Sequence, residues 1–226
     1  MGSKEAFYNW LKNNFPEEKK IENKIPFLNY ENYSNNSVTG FVVYEDWWIS
    51  SPQIVLSKVG AILGMNERIF ARKTKVKRID INECNSFLDA NHIYGATMAK
   101  HKIGLFLGNE LIAVATFSSQ KNLNVGRSVE LIRFCSKNNT TIVGGLDKLL
   151  KFYVNEFSPN HIMTYIDKDW GSGKGFLKLG FKQHSDRESI TYYVNMRTGK
   201  RYRKQNKEES LLKVKNKGSL KIELFV

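Results

Sequence analysis

Cysteine, proline and negative charge are all scarce in this 226-residue chain. Its two cysteines, Cys84 and Cys135, cannot make a disulfide framework, and both read as buried thiols. No apolar run approaches the ~18 residues that span a bilayer. The segment Met1 to Lys12 lacks the apolar core of a secretion signal, so the expected address is the cytoplasm, with no membrane partner. Four ligands at zinc-finger spacing are missing, since Cys84 and His92 stand eight apart and His101 nine further on; no metal site is expected. There is no internal repeat. Ser118-Ser119 resembles no nucleophile elbow, which leaves a Ser-His-Asp triad with little to stand on.

The acid deficit has a counterpart. Asp and Glu number 22 against 35 Lys and Arg, a net charge of +13. Such an excess favours polyanions, because each neutralised phosphate releases counterions; general solubility is the plain alternative. The basic residues are not spread evenly. One cluster is Arg68, Arg72, Lys73, Lys75, Lys77 and Arg78, around Phe70; another is Lys200, Arg201, Arg203, Lys204 and Lys207, around Tyr202. Aromatics among cations suit nucleic acid better than a solvated tail. DNA is therefore the expected partner, with Arg72, Lys73, Lys75, Arg201, Arg203 and Lys204 as its contacts. Apolar residues make up 41% and aromatics 12%, enough to build a core.

Periodicity divides the chain. Phe7, Trp10, Leu11 and Phe15 recur at helical spacing over residues 4 to 15, and a polar linker with anchors Phe27 and Tyr30 follows to Val38. Residues 40 to 44 read as a strand, Trp47-Trp48 as an extended pair on alternate faces, and Pro52 as the opening of a helix that Gly64 ends. Residues 68 to 80 alternate as a strand, and Asp80 or Asn82 caps a helix to Ala90. Two strands flank the hairpin turn Gly108-Asn109. Residues 128 to 135 make another strand, Gly144-Gly145 opens a helix with Leu146, Leu149, Leu150 and Tyr153 on one face, and His161 to Ile166 is a strand ending at Asp167. A Gly-rich loop, a short helix over 176 to 179, and strands at Phe181 and 190 to 194 complete the expected sheet. A weak helix around 208 to 214 and an apolar strand over 220 to 226 close the chain. The expected division is an appendage over 1–65, a main domain over 66–200 and a basic extension over 201–226.

From Ile79 to Val194 this order resembles the GNAT acyltransferase fold. Asn91-His92-Ile93-Tyr94-Gly95 and Thr164-Tyr165-Ile166-Asp167 resemble elements of phage Mom-type DNA-modification proteins. Glu130 to Cys135 and Val143 to Leu150 look like phage and bacterial relatives, some of them fused behind Vsr-like homing endonuclease domains, and residues 44 to 73 are similar to the junction found there; no nuclease carboxylate constellation precedes it, so nuclease activity is not implied. The resemblance implies an α+β fold, a three-layer arrangement with a mixed, mostly antiparallel central sheet and helices on both faces. It implies acyl-CoA, acetyl-CoA above all, held by Phe134, Cys135, Thr141, Val143, Gly144, Gly145 and Lys148. It also implies a transferase of phage or mobile-element type, working in a bacterial host cell, that modifies an exocyclic amine of a DNA base. Three positions depart from the family pattern: Thr141 stands where the loop usually has a basic residue or Gln, Leu146 where a small residue is usual, and Phe176 where many members carry a tyrosine.

Acyl transfer to such an amine needs removal of a proton as the bond forms. His92, Tyr94 and Asp167 are the expected catalytic groups, with Asp167 accepting the proton or fixing the His92 tautomer, and Tyr94 stacking on a base or donating to an oxyanion. Trp170 is expected to stack on a flipped base. Each has a structural alternative: His92 as a helix cap, Asp167 as a turn former, Gly144-Gly145 as close packing, Trp170 as a core plug. Two other functions stay open, an N-acetyltransferase for proteins or small amines and a non-catalytic DNA-binding module.

Overall fold

The computed structural model describes residues 3–16, 21–35, 41–205 and 210–226. The chain forms two compact units, one of Met1–Val55, Ile166–Ser172 and Asp186–Leu220, the other of Leu56–Tyr165, Gly173–Ser185 and Lys221–Val226. Among the described residues no helix is long and apolar enough to cross a membrane.

The first unit is built on aromatics. Helix Ser3–Asn14 buries Phe7, Tyr8 and Leu11, so its inner face is rotated from the expected one and leaves Trp10 and Phe15 half-buried. The Tyr8 hydroxyl explains the rotation: it donates to the Ile25 carbonyl and accepts the Phe27 N–H, both at 3.1 Å. Phe27–Leu28 pairs in parallel with Val43–Tyr44; Gly40, part of the expected strand, lies outside the described residues. Trp47 and Trp48 are not extended. They sit in helix Glu45–Ser50, whose first turn carries Glu45 and Asp46, where carboxylates suit the helix dipole.

Three strands, Thr191–Val194, Arg201–Tyr202 and Leu212–Lys215, form a separate antiparallel sheet with Thr191–Val194 in the middle. This overturns two expectations. Residues 191 to 194 do not extend the main sheet, and 212 to 215 are strand, not helix; residues 208 and 209 of that expected helix lie outside the described set, as does Lys207 of the second basic cluster. Leu212 and Val214 alternate with Lys213 and Lys215, which is the period of a strand.

The second unit carries the main sheet, mixed and mostly antiparallel. Its order along the path is Lys182–Arg187, Ser219–Phe225, His161–Asp167, Gly126–Ser136, Glu110–Phe117, His101–Leu107, Lys75–Arg78; Lys121–Leu123 pairs with Gly126–Ser136 off this path. The chain's last strand thus enters the sheet between two earlier ones. The hairpin turns at Gly108-Asn109 as expected, with Gly108 at φ +61°. The expected strand over 68 to 80 is broken by a 3-10 turn, Ala71–Lys73, into Glu67–Phe70 and Lys75–Arg78, and the first piece pairs in parallel with Thr140–Val143.

Helices cover both faces of this sheet. Helix Ile81–Asn91 is capped by Asp80, whose Oδ1 accepts the Asn82 and Glu83 N–H groups at 2.7 and 2.9 Å. It packs Cys84 and Leu88 on Val114, with Cys135 against the same cluster. Helix Gly145–Phe157 lies on the other face, where Tyr153 stacks on Phe117 with ring centroids 3.9 Å apart. Val114 and Phe117 are three apart on one strand, so they point to opposite sides.

Candidate functional site

Strand Gly126–Ser136 is the axis of the candidate site in the second unit. Its parallel pairing with the strand from His161 runs over only three residues and ends at Glu130 opposite Met163. Beyond that point the Thr164 hydroxyl donates to the Leu131 carbonyl at 2.8 Å, and among the described residues no further backbone pair forms on this side. On the other side pairing continues to Ser136, but its register skips Ile132: Arg133 faces Thr116 and Leu131 faces Phe117. Ile132 is therefore a bulge, a device that re-aims backbone groups next to sites. Residues 132 to 136 are only half-buried although the strand is interior, as an unpaired edge requires.

The register places Glu130, Arg133 and Cys135 on the face covered by helix Ile81–Asn91. Arg133 donates from Nε to the Gly95 carbonyl at 3.3 Å. His92 ends that helix, and its Nδ1 accepts the backbone N–H of Tyr94 at 3.1 Å. Burial, helped by the charge of Arg133, pushes the His92 pKa down to about 3. At neutral pH His92 is therefore uncharged, its proton is on Nε2, and it can donate a hydrogen bond but not accept a proton there. Glu130 was not singled out from the sequence. It is half-buried and its carboxyl is raised above the ordinary range by burial, against the charges of Arg133 and Lys121. A charge in a run of β-formers was the available signal.

The second element of the site is the opening of helix Gly145–Phe157. Its cap residue Gly144 has φ +78° and no side chain to close the first turn, so backbone N–H groups remain for an anion. A pocket of about 420 Å³ lies here, lined by Phe70, Ala71, Arg72, Val143, Gly144, Asp147, Lys148 and Lys151. Cations outnumber the single carboxylate, and Lys151 is paired to it at 2.7 Å. The Lys148 ammonium donates to the Ala71 carbonyl at 2.9 Å and to that of Thr74, which fixes the 3-10 turn beside the helix. Arg72 lies over the exposed Phe70 ring, 5.2 Å from its centroid. Leu146 does not line this pocket, so its bulk is turned elsewhere.

Of the residues expected to hold a cofactor, Val143, Gly144 and Lys148 meet at this pocket. Gly145 is a packing glycine: a Cβ there would stand 2.8 Å from Ile142 Cγ2. Thr141 is exposed on the strand paired to Glu67–Phe70. Cys135 packs under helix Ile81–Asn91, with its thiol pKa pushed up by burial, and the alternation of the strand turns Phe134 to the opposite face. Arg72 belongs to the pocket, while Lys73 and Lys75 are exposed next to it in sequence.

The other expected residues are in the first unit. Asp167 Oδ1 accepts the Asp169 N–H at 2.8 Å, and its carbonyl accepts from Trp170 and Gly171, so Asp167 shapes a turn. Trp170 packs edge-on to Trp47 and Phe41, with centroids 5.3 and 5.6 Å away. Arg201 requires a correction. Its guanidinium binds both oxygens of the fully buried Asp46 and lies over Trp47, Tyr44 and Tyr192, which withdraws it from any phosphate. Arg203 is exposed, with its guanidinium 4.7 Å from the Tyr192 ring centroid; Lys204 is exposed. Phe176, in helix Lys174–Leu177 of the second unit, packs edge-on to Phe181.

Comparison with protein-family models and with curated proteins gives no match. Among solved structures, the chain is similar to the ribosomal-protein-S18-alanine N-acetyltransferase from Escherichia coli, at 10% identity and TM-score 0.45 over 68% of this chain and 94% of that one. It is also similar to a GNAT family acetyltransferase from Elizabethkingia anophelis with acetyl-CoA bound, at 10% identity and TM-score 0.43 over 68% and 99%. A third is Arabidopsis thaliana Naa50 in complex with a bisubstrate analogue, at 9% identity and TM-score 0.46 over 68% and 99%.

Two further polar groups bear on the chemistry. Ser128 Oγ is 2.8 Å from His161 Nδ1, and Glu223 Oε2 is 3.7 Å from His161 Nε2. All three residues are buried, so this Ser-His-Glu row has no access to substrate and ties strand ends together. Among the described residues no three His, Cys, Asp or Glu side chains gather as a metal site.

Proposed function

We propose that this chain is a GNAT-like, acyl-CoA-dependent N-acyltransferase, and that its acceptor is an exocyclic amine of a DNA base. The observation that carries the transferase reading is the open edge of strand Gly126–Ser136 past Glu130. That edge, with its bulge at Ile132, offers backbone that no neighbouring strand covers to an extended ligand, and the same unit supplies an anion-binding helix start at Gly144. The pocket there fits a pyrophosphate: uncapped N–H groups, Arg72 and Lys148 line it.

Acyl-CoA would supply the activated acyl group and the leaving thiolate. The chain's own groups do the rest. Glu130, raised by burial, takes the proton that the attacking amine loses as the C–N bond forms. His92 offers Nε2–H as an uncharged donor on the face it shares with Glu130 and Arg133, and the half-buried setting limits water. Phe176 has no proton to give, so the thiolate is reprotonated by solvent or by another group.

The acceptor class rests on the net charge of +13 and on the exposed cations Lys73, Lys75 and Lys77. The purified chain, given acetyl-CoA and DNA, is expected to release free CoA thiol and to yield acylated deoxynucleosides by mass spectrometry after digestion. Acylation of peptides or small amines with DNA left unmodified replaces the acceptor and keeps the transferase. Absence of CoA binding by calorimetry removes both.

A further inference from the structure

Strands Lys182–Arg187 and Ser219–Phe225 are neighbours in the main sheet, yet 31 residues separate them in sequence. A hairpin between such strands needs only a few residues. The intervening segment, 188 to 218, carries nine Lys or Arg and three Glu, close to half of the net charge of +13. It contains the three-stranded sheet of the first unit.

The two faces of that sheet differ. One buries Tyr192, Val194 and Val214, and Arg201 points the same way into its pair with Asp46. The other face follows from the register. Tyr193 stands opposite Tyr202 on one side and Lys213 on the other, and Thr191 stands opposite Lys215. Lys213 and Lys215 are exposed, while Tyr193 and Tyr202 are half-buried. Lys200 Nζ lies 5.3 Å over the Tyr202 ring, and the exposed Lys204 follows just beyond the strand, while Arg203 turns to the Tyr192 ring of the other face. No residue of the three strands is acidic.

We infer that this face is a platform for an unpaired DNA strand, with Tyr193 and Tyr202 stacking on bases and Lys200, Lys213 and Lys215 meeting phosphates. Paired aromatic rings among cations on a sheet surface suit single strands, whose bases offer free π-faces, better than duplexes, whose bases are already stacked. The choice of DNA rests on the acceptor reading above. The binding itself needs no acyl donor, so the two can fail separately.

The test is fluorescence anisotropy with the full chain, without acetyl-CoA, using a labelled oligothymidine and a duplex of equal length. The single strand is expected to bind more tightly than the duplex, with a log–log salt slope of about −2 for three phosphate contacts. Tyr202→Ala is expected to weaken it about ten-fold and Tyr202→Phe to leave it unchanged. Lys213→Gln with Lys215→Gln, both exposed, gives an arm that does not depend on a ring being removed, and is expected to flatten the salt slope. Duplex binding as tight as single-strand binding overturns the inference, as does unchanged affinity in the lysine variant or equal competition by polyglutamate. Acyl transfer to DNA that persists without this binding overturns it and leaves the transferase reading standing.

Discussion

The backbone N–H of Tyr94 donates to Nδ1 of His92 across 3.1 Å. This fixes a neutral imidazole at the end of a helix, and burial holds its pKa at about 3, below the ordinary 6.5. The unfolded chain takes up the proton first as pH falls, so stability is full above 6.5 and is lost as pH drops from 6.5 towards 3. Thermal unfolding across that window is expected to show a slope that His92→Gln reduces.

Glu130→Gln tests the base. The variant is expected to lose roughly 100-fold in kcat with the KM for acyl-CoA little changed. The wild-type rate should climb with pH through a carboxyl raised above the usual range, and the variant should lack that limb. An unchanged profile removes Glu130 from the mechanism.

Breaking the buried pair in the first unit should be costly. Asp46→Asn or Arg201→Met leaves one partner buried without its counter-charge, at about 3–5 kcal/mol. Arg203→Ala, which removes an exposed cation from the Tyr192 ring, is expected to cost under ~1 kcal/mol. Urea unfolding measures both.

The two glycines that open helix Gly145–Phe157 should respond differently. Gly145→Ala drives a methyl to 2.8 Å from Ile142 Cγ2 and is expected to cost about 1–3 kcal/mol. Gly144→Ala has room, since Ala71 Cβ is 3.7 Å away, but its φ of +78° is expected to cost ~1–2 kcal/mol.

Both thiols should be slow to react in the folded protein. Burial pushes Cys84 up to about 11 and Cys135 further in the same direction, so little thiolate exists near neutral pH. Alkylation followed by mass spectrometry is expected to be slow in buffer and fast in denaturant.

Much of the local structure was legible. The Asp80 cap, the Gly108-Asn109 turn and the apolar stripe Leu149, Leu150 and Tyr153 are short-range signals, and each lies where the sequence puts it. The strand at 212 to 215 was legible too, because Leu212 and Val214 alternate with lysines, a period of two that no helix has. The candidate site was legible at Gly144 and Lys148 but not at Glu130. Nothing local marks where a strand loses its neighbour, and that loss is what sets Glu130 apart.

The sequence by itself determined the helix capped by Asp80, the helix that Gly144 opens, the hairpin and the excess of positive charge, since these follow from spacing and composition within a few residues. Only the tertiary structure decided that Ser219–Phe225 enters the main sheet, that Arg201 turns inward to Asp46, and that the strands part after Glu130 and Met163. Each of these joins residues far apart in the chain, and their energy comes from burial and pairing that no local window contains.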